Sequence, residues 1–133
     1  MKIRSMALTL LALTWLLSGS IAWAAGPSGS IEDSQGKKTQ VLEFLNLLPN
    51  YYFSLNGTEQ NAPMADIKSL GWLGGGKVKI TNHKGVGFTV LGTMQISKGD
   101  MIAFRALDPV SGKAAKAEID PLLLKTITFA WPK

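Results

Sequence analysis

Residues 77–107 read KVKITNHKGVGFTVLGTMQISKGDMIAFRAL, and the spacing of their apolar side chains decides the fold. Val78 and Ile80 point one way while Lys77, Lys79 and Thr81 point the other, the period-two alternation of a half-buried strand. Asn82-His83-Lys84-Gly85 is a turn, after which Val86, Phe88, Val90, Met94 and Ile96 continue the apolar face. Gly92 interrupts them and predicts a bulge or bend. Lys98-Gly99-Asp100 turns the chain into Met101 to Leu107, with Ile102, Phe104 and Ala106 inward and Arg105 outward.

The same alternation extends to both sides. Tyr51 to Leu55 is an aromatic-rich strand ending at the turn dipeptide Asn56-Gly57. Asp108 to Lys113 is a proline- and glycine-containing turn. Ala115, Ala117 and Ile119 alternate with Lys116 and Glu118, and Ile127, Phe129 and Trp131 alternate with Thr128 and Ala130. Two segments read as helix. Val41, Leu42, Phe44, Leu45 and Leu48 share a helical face, with a buried strand as the competing reading of so short and apolar a segment, and Pro63 to Leu70 carries proline at its start and Gly71 just past its end. Gly74-Gly75-Gly76 reads as a flexible connector. The expected fold is mainly β, a small antiparallel sandwich or barrel of about six strands with one or two short helices.

Residues 1–24 carry the parts of a cleavable secretory signal. Lys2 and Arg4 precede the apolar run Met6 to Leu17, Ser18-Gly19-Ser20 loosens it, and Ala22-Trp23-Ala24 supplies a small-x-small cleavage site. Residues 25–38 then read as a flexible leader, and 39–133 as one β-rich domain. Lys2 and Arg4 are two of 14 basic residues, so the exported chain has 12 against nine acidic ones. A surplus of three is no nucleic-acid footprint. The absence of cysteine excludes thiol catalysis, disulfides, zinc–thiolate sites and a lipoprotein anchor. The chain is expected to be periplasmic or secreted, and not an integral membrane protein once the signal is removed.

Motifs of chemistry are sparse. Gly71 to Val78 has phosphate-loop spacing, but Val78 stands where a magnesium-binding hydroxyl belongs. His83 is the sole histidine and no G-x-S-x-G elbow is present, so no catalytic residue is assigned. Asn56-Gly57-Thr58 matches a glycosylation sequon. Soft ligands offer one metal reading: His83, Met64, Met94 and Met101, near Trp72, suit copper(I). Lys98-Gly99-Asp100-Met101-Ile102-Ala103-Phe104 and the hairpin before it resemble the small periplasmic copper- and silver-binding chaperones with an OB-type barrel. The closely spaced Met-x-Met pair of that family is missing.

The expected function is therefore a non-enzymatic binding or structural module without a cofactor, meeting another envelope or extracellular protein or a ligand. Strand addition at a sheet edge is one route. Met64, Trp72 and Leu73, in the 57–76 connection, are the expected contact residues. A copper carrier and a small hydrolase are the alternatives. Intact-mass measurement of the exported protein is expected to give a chain starting at Ala25; retention of Met1 on a cytosolic species would refute the export reading.

Overall fold

The alternation around Val78 and Ile80 does produce a strand, as does most of the chain around it. A computed structural model describes residues 26–132, so the expected signal segment lies outside the described residues. Eleven strands form: β1 (Ser28–Asp33), β2 (Lys38–Val41), β3 (Glu43–Phe44), β4 (Asn50–Leu55), β5 (Thr58–Pro63), β6 (Ile67–Gly74), β7 (Lys77–Asn82), β8 (Gly87–Leu91), β9 (Ile102–Leu107), β10 (Ala114–Ile119) and β11 (Leu124–Ala130). All pairings are antiparallel. One sheet has the order β2-β1-β11-β6-β7-β8-β4-β5 and the other β10-β9-β3.

Mainly β and antiparallel is thus the fold class, with more strands than the six expected and no closed barrel. The helix expected over residues 41–48 is absent. Val41 and Phe44 are both buried at a spacing of three because the strand bends at Leu42, passing from one sheet to the other. The Leu42 N–H donates to the Arg105 carbonyl of β9 at 2.8 Å, so the bend stays in a ladder. A bent strand mimics helical spacing here. The second expected helix shrinks to a 3-10 turn at Met64–Asp66, and residues 67–74 are strand β6.

The leader also differs from expectation. Residues 28–33 form β1, which lies inside the large sheet between β2 and β11. Its inward positions are Gly29 and Ile31, so a single large apolar residue hides the alternation. Gly29 is required by close approach: a Cβ there would run into the Thr128 carbonyl oxygen.

Both sheets share one core. Ile31, Val41, Phe44, Ile67, Leu70, Ile80, Ile102, Phe104, Ile127 and Phe129 are all buried in it. Phe44 meets Phe129 edge-on with ring centroids 5.3 Å apart, joining the small sheet to the large one. Trp131 packs beside Phe129 and donates its Nε1–H to the Ile67 carbonyl at 3.2 Å. Among the described residues no helix is long and apolar enough to cross a membrane.

Ile31→Ala is expected to cost about 3 kcal/mol by leaving a cavity against this core. Chemical denaturation checks it; a loss near zero would return residues 28–33 to the status of a leader.

Candidate functional site

Where the large sheet ends, three segments converge on an apolar groove. The first is the β6–β7 hairpin. Gly74, Gly75 and Gly76 all have positive φ, and Gly74 pairs with Lys77. They make a tight turn instead of the expected flexible connector. Only glycine enters this backbone region without strain. The second is the irregular stretch 92–101, and the third is the 3-10 turn Pro121–Leu123 with Leu124 behind it.

The groove has a volume of 690 Å³. Trp72, Met94, Met101, Leu122 and Leu124 supply its apolar lining, Asp100 and Asp120 its charge. Among the described residues no basic side chain lines it. Asp120 is partly committed, since its carboxylate accepts from the Leu122 N–H at 2.9 Å and so caps the turn. That cap holds Leu122 out, 89% exposed. Leu124 and Met94 form the buried floor.

The 92–101 wall has almost no strand pairing, and two side-chain amides replace it. Gln95 accepts from the Tyr52 N–H and donates to the Tyr52 carbonyl, as a neighbouring strand would. Asn46 donates to the Lys98 and Met101 carbonyls and accepts from the Ala103 N–H at 3.0 Å. The Gly92 N–H donates to the Gly76 carbonyl, tying this wall to the hairpin. Asp100 and Met101 are thus placed by Asn46.

Behind Gly92 lies Tyr51, fully buried, with a hydroxyl that has no hydrogen-bond partner among the described residues. Burial pushes the Tyr51 phenol up to about 12. A Cβ at Gly92 would stand 2.8 Å from that hydroxyl. Gly92 is therefore required by steric contact at the groove wall.

The expected site residues scatter. Trp72 is half-buried and lines the groove. Leu73, the next residue on β6, is 59% exposed and outside the lining, and Met64 is fully buried in the core. Of the expected copper ligands, Met94 and Met101 share the groove. His83 follows the far end of β7, where Asn82 pairs with Ile67. Seven residues of strand separate that end from Gly74, about 23 Å. The imidazole donates its Nε2–H to the Ala65 carbonyl at 2.7 Å. No cluster of three or more His, Asp or Glu positioned for a metal occurs among the described residues.

Sequence reasoning missed Asp120, Leu122 and Leu124, and did not place Asp100 in a site. The available signal was Leu122-Leu123-Leu124 directly after the capping pair Asp120-Pro121. Three consecutive leucines cannot all face the interior of a strand. No protein-family model matches this chain, and neither a curated protein nor a solved structure shows significant similarity to it.

Gly92→Ala is expected to cost about 2 kcal/mol through its clash with the Tyr51 hydroxyl. Tyr51→Phe is expected to recover much of that loss and, alone, to be neutral or stabilising by about 1 kcal/mol. Equilibrium denaturation of the three variants checks the cycle; strictly additive effects would refute the contact. The folded state holds the Tyr51 proton more tightly than the unfolded chain. Its contribution is therefore complete below pH 10 and is lost as pH rises through 12. The alkaline decline amounts to about 2 kcal/mol by the upper limit and disappears in Tyr51→Phe.

Proposed function

We propose that this chain is an exported, non-enzymatic binding module of the cell envelope or extracellular space, whose groove holds an apolar chain or ring bearing a cationic group. The groove carries this reading. Its volume lies in the range of ligand sites, its lining is apolar, and its charged groups are two carboxylates. An apolar body fills the space between Trp72, Met101 and Leu122, while Asp100 faces the cationic group. The export half rests on the n-region, apolar run and cleavage pattern of residues 1–24. A non-catalytic role is supported by His83, which lies at the other end of the β6–β7 hairpin with its Nε2–H committed to a carbonyl.

A second reading has one observation in its favour. Met94 and Met101 present two thioethers to the same groove, a partial copper(I) donor set. His83 and Met64 would contribute nothing to it.

Titration with an alkyltrimethylammonium below its micelle concentration is expected to give saturable binding and a shift in Trp72 emission. An alkyl sulfate of equal length should bind at least about tenfold more weakly. Met101→Ala and Leu122→Ala are each expected to weaken the ammonium ligand about tenfold. Equal affinity for the two head groups, or no saturable binding, would overturn the proposal. Copper(I) competition titration tests the second reading: binding lost in Met94→Leu/Met101→Leu but kept in His83→Ala supports it, and no binding by the unaltered chain disposes of it.

A further inference from the structure

We infer that two copies of this chain pair antiparallel through their β10 edges, about a two-fold axis at Ala117. Among the described residues β10 has a neighbour, β9, on one side only. Its six residues pair with β9 without a register shift, so the open side is a straight run of backbone donors and acceptors. Such an edge is a template for a further strand.

The phase of the ladder fixes which residues face outward. The Asp108 N–H donates to the Lys113 carbonyl. Hydrogen-bonded pairs alternate along an antiparallel ladder, so Ala115, Ala117 and Ile119 spend their backbone groups on β9. Ala114, Lys116 and Glu118 direct theirs to the open edge. A second copy must then match outward residues with outward residues. Placing the axis at position 116 sets Lys116 against itself, and placing it at 118 sets Glu118 against itself. The axis at Ala117 opposes Lys116 to Glu118 twice, with Ala117 meeting Ala117 between them.

The charges within one copy favour that register. Lys116 lies opposite Arg105 across the ladder, and Arg105 is paired with Glu43 at 3.4 Å. Lys116 therefore faces a like charge, and neither it nor Glu118 has an ion-pair partner among the described residues. The second copy supplies both. The other outer strands are different: β5 ends in Pro63, which has no N–H, and its charged residue is Glu59 alone, the charged residue of β2 is Lys38 alone, and β3 is only two residues long.

The inference is independent of the ligand proposed for the groove, since Lys116, Ala117 and Glu118 do not line it.

Sedimentation equilibrium of the exported chain is expected to show a monomer–dimer equilibrium. Lys116→Glu and Glu118→Lys are each expected to weaken it about tenfold by opposing like charges twice. The double variant Lys116→Glu/Glu118→Lys should restore it to within about threefold. Because the chain has no cysteine, Ala117→Cys should crosslink to its own copy on oxidation, across a pair about 4.5 Å apart at Cα. A monomer at all concentrations, indifference to both single reversals, or failure of the double variant to restore association would overturn the inference. A dimer that does not crosslink through Ala117→Cys would overturn it equally, by refuting the register.

Discussion

The whole structure turns on the bend at Leu42. Residues 38–41 pair with β1 in the large sheet and residues 43–44 pair with β9 in the small one. One strand therefore belongs to both sheets, and the hydrogen bond from Leu42 to Arg105 keeps the backbone satisfied where it changes allegiance. With Val41 and Phe44 both turned inward, the corner is also a place where the sheets' cores become one. A chain without cysteine has no disulfide to join two sheets, and the one ion pair among the described residues, Arg105–Glu43, lies within the small sheet. Apolar burial carries the load instead.

The groove shows the complementary strategy. Its walls are made where regular pairing fails, and side chains stand in for missing strands. Gln95 imitates a strand neighbour to Tyr52, and Asn46 gathers three backbone groups of the 98–103 segment. Each bond is modest alone, but the backbone groups it satisfies would be costly to leave unpaired beside a core. The unpartnered Tyr51 hydroxyl is the exception to this economy.

Period two was readable wherever large apolar side chains marked every inward position. The strands around Val78, Phe53, Phe104 and Ile127 stood out for that reason. β1 did not, because Gly29 occupies one of its inward places and leaves Ile31 without a visible companion. The 41–48 segment misled because a corner displaces the pattern by one residue, turning a spacing of two into three. β5 and β6 were hidden by polar composition and by Pro63 and Gly71, whose usual reading is a capped helix. At the groove, Trp72, Met94 and Met101 drew notice by type, but their meeting depends on long-range pairing that no local window contains. The Asp120 cap and the leucines it displays were overlooked for a simpler reason: they sit in a turn between two strands.

The first and last strands, β1 and β11, lie side by side in the interior of the large sheet, with Ser28 opposite Ala130. The middle of the ladder is therefore the most distant pairing in sequence, and contacts of that range form late and slowly. Such a chain stays incomplete until its final residues arrive, whichever order they are delivered in. Until β11 is in place, both β1 and β6 present an unpaired side, so the large sheet closes only when its last strand has been made.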